Sequence, residues 1–125
     1  MKRLLLTLTF MLFLTTASAS DADVTSISEA FVKGDVSLLE NILDTNIDVA
    51  LPQKNGKYTL EETSILMKDF FHQNIATSFK VVHKADKSGK GFLVAKYFTD
   101  NNEFRVNISY LIKSDNIYIQ SIRIE

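Results

Sequence analysis

Glu103-Phe104-Arg105-Val106-Asn107-Ile108-Ser109-Tyr110-Leu111-Ile112-Lys113 alternates without interruption. Phe104, Val106, Ile108, Tyr110 and Ile112 face one way, while Glu103, Arg105, Asn107, Ser109 and Leu111 face the other. A period of two with one apolar and one mostly polar side describes a strand covered on one face and wet on the other. Three more stretches of the same kind surround it: Ser78–Ala85, Gly91–Thr99 and Asn116–Ile124. Turn residues lie between them at Lys87-Ser88-Gly89-Lys90-Gly91, Asp100-Asn101-Asn102 and Ser114-Asp115-Asn116. Links this short join antiparallel neighbours, because a parallel pair needs a long crossover. The last stretch changes phase, since Ile117 and Ile119 are odd and Ile122 and Ile124 are even. A bulge near Gln120-Ser121 would return all four to one face and bend the sheet.

Upstream of Ser78 the pattern is mostly helical. Val24, Ile27 and Phe31, with Ala30, predict a helix over Val24–Lys33, with Asp23 as its N-cap and Gly34 as its stop. A second short helix starts at Asp35 or Ser37, where Ser37-Leu38-Leu39-Glu40 reads as a capping box, and buries Val36, Leu39, Ile42 and Leu43. Ile47–Leu51 suits a short strand that Pro52 ends or confines to an edge. Gln53–Lys57 reads as a turn around Asn55-Gly56. Thr59-Leu60-Glu61-Glu62 is another capping box, opening a third helix with Leu60, Thr63, Met67, Phe70 and Phe71 on one face and Leu66 beside them. Helices first and a sheet afterwards predict one α+β domain, with the helices covering one face of a curved antiparallel sheet. That sheet is a four-stranded meander plus the short early strand.

The first nineteen residues read differently. Met1-Lys2-Arg3 is basic, Leu4–Leu14 is apolar apart from Thr7 and Thr9, and Thr15–Ala19 ends in an A-x-A pattern. Basic, apolar and small, in that order, is the layout of a secretory signal peptide cleaved after Ala19. The apolar run is too short to cross a bilayer, which takes about 20 residues. The expectation is an exported domain, residues 20–125, periplasmic or secreted, with no membrane span after cleavage. Without Lys2 and Arg3, the fourteen Lys and Arg fall to twelve, against fifteen Asp and Glu. Such a balance gives no electrostatic reason to hold nucleic acid, whose binding rests on phosphate neutralisation. With no cysteine in the chain, the core alone must hold the domain, and thiol catalysis is excluded.

The order of elements resembles the nuclear-transport-factor-2-like, or cystatin-like, fold. Leu51-Pro52 followed by Gly56-Lys57-Tyr58, Asp69-Phe70-Phe71, Ser78-Phe79-Lys80-Val81, and the ending Ile119-Gln120-Ser121-Ile122-Arg123-Ile124-Glu125 are similar to a family of small exported bacterial domains of unknown function with that fold. The resemblance implies a cone-shaped pocket between bent sheet and helices, and dimerisation through the sheet as a mode open to the fold. It implies no particular activity, because function has to be argued from a site.

Five histidine, tyrosine and arginine positions and one carboxylate stand out. His83 shares a side with Phe79 and Val81, and if that side lines the cone it would be a polar group in an apolar pocket. Tyr97 and Tyr110 can donate hydrogen bonds into such a pocket, and Arg105, beside Asn107 and Ser109, can meet an anion or a partner. These four form the candidate ligand site. Asp69 and His72, three apart on the third helix, are the alternative acid–base pair. Against each stands an ordinary explanation: packing for the tyrosines, a solvated face for Arg105, a helix C-terminus for His72. Two histidines without a zinc motif argue against a metal site, and no motif asks for a cofactor. The leading expectation is a non-catalytic exported domain binding a small apolar molecule or a protein partner. The rival is a cofactor-free lyase or isomerase using His83 or His72 as base and a tyrosine as donor. A structural dimer through the sheet is the third expectation.

Overall fold

The structure, a computed structural model, describes residues 21–125, with side-chain surroundings from residue 24 onward. The expected signal segment, residues 1–19, lies outside the described residues. Helix α1 spans Asp21–Lys33, so it begins two residues before the expected Asp23 cap. It ends at Gly34, whose φ of 61° lets Gly34 N–H reach the Phe31 carbonyl (3.2 Å) and Asp35 N–H reach that of Ala30 (3.0 Å). Helix α2, Val36–Glu40, is capped by the Asp35 side chain, which accepts from the Ser37 and Leu38 amides. Strand β1 (Leu43–Leu51) and strand β2 (Lys54–Thr59) follow as a hairpin, then helix α3 (Leu60–Gln73). The predicted capping box of α3 is present: Glu62 N–H donates to Thr59 Oγ1 at 3.2 Å and Thr59 N–H to Glu62 Oε1 at 3.0 Å. Strands β3 (Ser78–Lys87), β4 (Lys90–Phe98), β5 (Glu103–Lys113) and β6 (Asn116–Ile124) complete the chain.

The six strands form one sheet in the order β2-β1-β6-β5-β4-β3. Two expectations change here. The sheet is mixed, not antiparallel throughout, because β1 runs parallel to β6. The long connection through β2 to β5 makes that pairing possible. The stretch read as a turn around Asn55-Gly56 is strand β2, pairing Asn55 with Ala50 and Gly56 with Val49. The turn itself falls at Pro52-Gln53, so Pro52 does end its strand, but β2 and not β1 is the edge.

The predicted bulge is present. Ser109 pairs with Ser121 and Tyr110 with Ile119, which leaves Gln120 unpaired and puts Ile117, Ile119, Ile122 and Ile124 on one buried face. A second bulge lies at Val82, between the Val81–Ala95 and His83–Val94 pairs. The helices pack on what we call the inner face, where Ile47, Val49, Leu93, Ala95, Tyr97, Val106, Ile108 and Tyr110 are buried with the β6 isoleucines, and Ile27, Phe31, Leu39, Met67, Phe70 and Phe71 come down from the helices. Thr63 also sits in this core, fully buried, and its hydroxyl has no hydrogen-bond partner among the described residues. Thr63→Val keeps the branched shape and removes the unsatisfied oxygen, so chemical denaturation is expected to show a gain of about 1 kcal/mol.

Candidate functional site

Curvature bends the inner face into a cone, and aromatic rings fill it. Phe31 from α1, Phe70 and Phe71 from α3, Phe79 from β3, Tyr97 from β4 and Phe104 from β5 converge because each stands on its element's inward side. Phe31 stacks on Phe79 with centroids 5.0 Å apart and meets Phe71 edge-on at 5.4 Å. Phe70 lies 5.3 Å from Phe104 and 5.4 Å from Tyr97. Such tilted and edge-to-face contacts are the favourable ring geometries. Tyr97 is wholly buried at the centre, and its hydroxyl donates to the Asn74 carbonyl just beyond α3. Burial pushes its pKa from the usual 10 up to about 12. The unfolded chain therefore loses this proton first as pH rises past 10, and stability present below pH 10 falls until about pH 12. Tyr97→Phe is expected to flatten the alkaline limb of a denaturation-versus-pH curve over that window, at a cost near neutrality of about 1–3 kcal/mol for the stranded Asn74 carbonyl.

At the other end of the inner face Tyr110 donates to Asp86 Oδ1 at 2.9 Å, and Lys84 Nζ lies 3.6 Å from Asp86 Oδ2. Gly91, opposite both Asp86 and Tyr110 in register, gives them room: a Cβ there would stand 2.5 Å from Asp86 Oδ1 and 2.5 Å from Tyr110 Cε1. Tyr110 is thus a packed and engaged residue.

The four candidate ligand residues divide between the two faces. Tyr97 and Tyr110 point inward, whereas His83 and Arg105 point outward and are exposed. The reason for His83 is the bulge at Val82, which advances the phase by one residue and turns the histidine away from Phe79 and Val81. It meets Phe92 on the outer face instead, with ring centroids 5.5 Å apart. Asp69 and His72 are both exposed, and Asp69 accepts from Gln73 Nε2 at 3.3 and 3.4 Å instead of engaging the histidine. Among the described residues, therefore, no enclosed chamber gathers a histidine and a tyrosine hydroxyl that is not already engaged.

Clefts lie at the periphery. One of about 460 Å³ opens between the β1–β2 turn, the second half of α3 and the start of β5. Leu51, Leu66, Phe70 and Phe104 give it an apolar floor, and Gln53, Lys54, Asp69, Gln73 and Asn74 a polar rim. Phe70 and Phe104 also belong to the ring cluster, so the floor is held rigid from behind. A larger, more open groove of about 690 Å³ runs between the α1–α2 junction and α3, past Gly34, Val36 and Ile65. Of the residues singled out in the sequence, only Asp69 reaches the first cleft. Phe104 was legible as inward-facing from its alternation. Nothing in the pattern brings the Pro52-Gln53 turn against α3, because that contact depends on the unforeseen β1–β2 hairpin.

The sequence profile of a family described as Domain of unknown function (DUF4783) matches residues 24–125. Crystal structures of two proteins of that family superpose on the chain. The one from Bacteroides uniformis is 26% identical with a TM-score of 0.76, covering 81% of this chain and 94% of its own. The one from Bacteroides ovatus is 22% identical with a TM-score of 0.74, covering 79% and 90%. An NTF2-like protein of unknown function from Silicibacter pomeroyi aligns at 13% identity and a TM-score of 0.61, over 86% of this chain and 92% of its own. No curated protein matches the chain.

Proposed function

The chain belongs to the DUF4783 family, a family of unknown function with an NTF2-like α+β fold, and from that premise we propose that it is an exported, non-catalytic binding module. Its ligand is a small apolar molecule, held in the cleft between the Pro52-Gln53 turn, α3 and Phe104. One observation carries the reading: the cone that the fold offers is occupied by the protein's own rings, and the apolar floor that remains reachable is Leu51, Leu66, Phe70 and Phe104 under a polar rim. A volume of about 460 Å³ lies in the range of small-molecule sites, and the apolar floor is ringed by Gln53, Lys54, Asp69, Gln73 and Asn74, a more polar rim than such sites usually carry. The exported address is supported by the basic, apolar and small-residue order of residues 1–19. Among the described residues no helix is long and apolar enough to cross a membrane. The acid–base alternative has no observation in its favour, because His72 and His83 are exposed and the hydroxyls of Tyr97 and Tyr110 are engaged.

Titrating ¹⁵N-labelled protein with indole or phenol tests the site. Amide shifts are expected at Leu66, Phe70, Asn74 and Phe104, and they should vanish in Gln73→Trp, which places a ring over the rim. Shifts confined to the outer sheet face, or surviving in Gln73→Trp, would remove the cleft from consideration.

A further inference from the structure

We infer that the outer face of the sheet, across β3, β4 and β5, docks an acidic polypeptide surface of another protein. The inference stands independently of the cleft, which lies on the other side of the sheet's edge. In register, Lys80 stands opposite Lys96, and Lys96 opposite Arg105. All three are exposed, and Arg123 stands one row further along β6, opposite Asn107. Strands lie about 4.8 Å apart, so the three-residue row spans roughly 10 Å.

Like charges directly opposite across strands destabilise a sheet. The row ends at Glu125, which exchanges backbone hydrogen bonds with Arg105 at 2.9 and 3.0 Å but turns its side chain to Arg123, at 3.3 Å, while Glu103 meets Lys96 at 3.4 Å. Among the described residues neither Lys80 nor Arg105 has a carboxylate within ion-pair distance. The chain as a whole leans acidic, yet Glu29, Asp35, Glu40, Glu61, Glu62 and Asp69 lie on the helical layer against Lys33 and Lys68. The strands carry ten Lys and Arg against Asp44, Asp48, Asp86 and Glu103, so the sheet leans basic, and the alignment of Lys80, Lys96 and Arg105 has a local cost, the kind of conflict that marks a surface serving a partner.

Three features identify the partner's chemistry. The cations form a line and do not converge, which suits carboxylates spaced along a polypeptide better than one compact anion. Val82 and Phe92 are exposed beside the row, with Val94 and Phe98 half-buried between, and arginine with aromatic and apolar side chains is the make-up of a protein interface. Near the row the face carries Lys80, Lys96, Arg105 and Arg123 against Glu103 and Glu125, so a second copy docked face to face would set two net-positive surfaces together. The edges are poor alternatives: β2 carries Lys54 and Lys57, and β3 carries Lys80, Lys84 and the Val82 bulge.

The test uses a fluorescein-labelled oligoglutamate peptide and three forms of the protein: wild type, Lys96→Glu/Arg105→Glu, and Lys87→Glu/Lys90→Glu. Both double variants change net charge equally, and the second lies at the β3–β4 turn. Binding to wild type is expected to weaken with salt, to fall about tenfold or more in the row variant, and to change by no more than about twofold in the turn variant. Amide shifts on unmutated protein should map to β3–β5 around Lys80, Lys96 and Arg105. Equal losses in both variants would reduce the effect to net charge and overturn the inference. Shifts elsewhere would also overturn it. So would tighter binding of a heparin fragment at the same row, or sedimentation showing a dimer that buries this face.

Discussion

Phe31→Ala is expected to cost about 3–5 kcal/mol in urea denaturation, a large part of the roughly 5–15 kcal/mol that holds a domain of this size. Phe31 is wholly buried, and its ring touches those of Phe71, Phe79 and Tyr97. Those three neighbours come from three different elements and cannot all collapse into the gap. The variant should therefore keep a dry, ring-lined cavity, and such cavities take up benzene-like molecules. Benzene or indole should raise the melting temperature of Phe31→Ala much more than that of wild type, in proportion to its occupancy of the new cavity. Equal stabilisation of both would mean that the native cone is open, and the account of a filled cone would fail. Ile75→Ala, at a position 74% exposed, is the matched control and should stay within about 0.5 kcal/mol of wild type.

The second large effect is expected at Gly91. Alanine there places a methyl 2.5 Å from the Tyr110 ring and 2.5 Å from the Asp86 carboxylate. Tyr110 cannot swing away without breaking its 2.9 Å hydrogen bond to Asp86 or leaving its buried site. Overpacking of this kind costs about 2–3 kcal/mol, which for a domain of this length lowers the melting temperature by about 10–20 °C. Tyr110→Leu in the same chain should relieve part of the strain, so the double variant should be less destabilised than the two single changes predict together. A Gly91→Ala protein as stable as wild type would show that the strands shift cheaply, and the close packing of ring on glycine would then explain nothing.

These two positions mark the ends of the inner face, and together they bear on function. Between them the face is occupied by the protein's own side chains, so the surfaces we propose for binding lie outside it, the Phe104 cleft on one side and the Lys80–Lys96–Arg105 row on the other. Arg105 was among the residues first singled out, and it keeps a candidate role as part of a surface instead of a pocket. Tyr97 and Tyr110 pass to packing. His83 joins the outer face beside Phe92.

Much of the fold was legible in the chain because it is written locally. Alternation in Glu103–Lys113 named its strand and the inward side chains, and turn residues placed the three hairpins. The phase change among Ile117, Ile119, Ile122 and Ile124 located the bulge, since four isoleucines must reach one face. Thr59 and Glu62 announced α3 through a hydrogen-bond pair that needs only four residues. Tertiary structure alone decided the rest. The β1–β6 pairing joins segments some seventy residues apart, and no short pattern records it. The Val82 bulge sits where the residues on either side suit both faces, so its phase shift, and with it the side on which His83 stands, depends on how β4 pairs. Whether the cone is open or filled depends on the summed volume of rings carried by five separate elements, a quantity that belongs to their packing and to no single stretch of the chain.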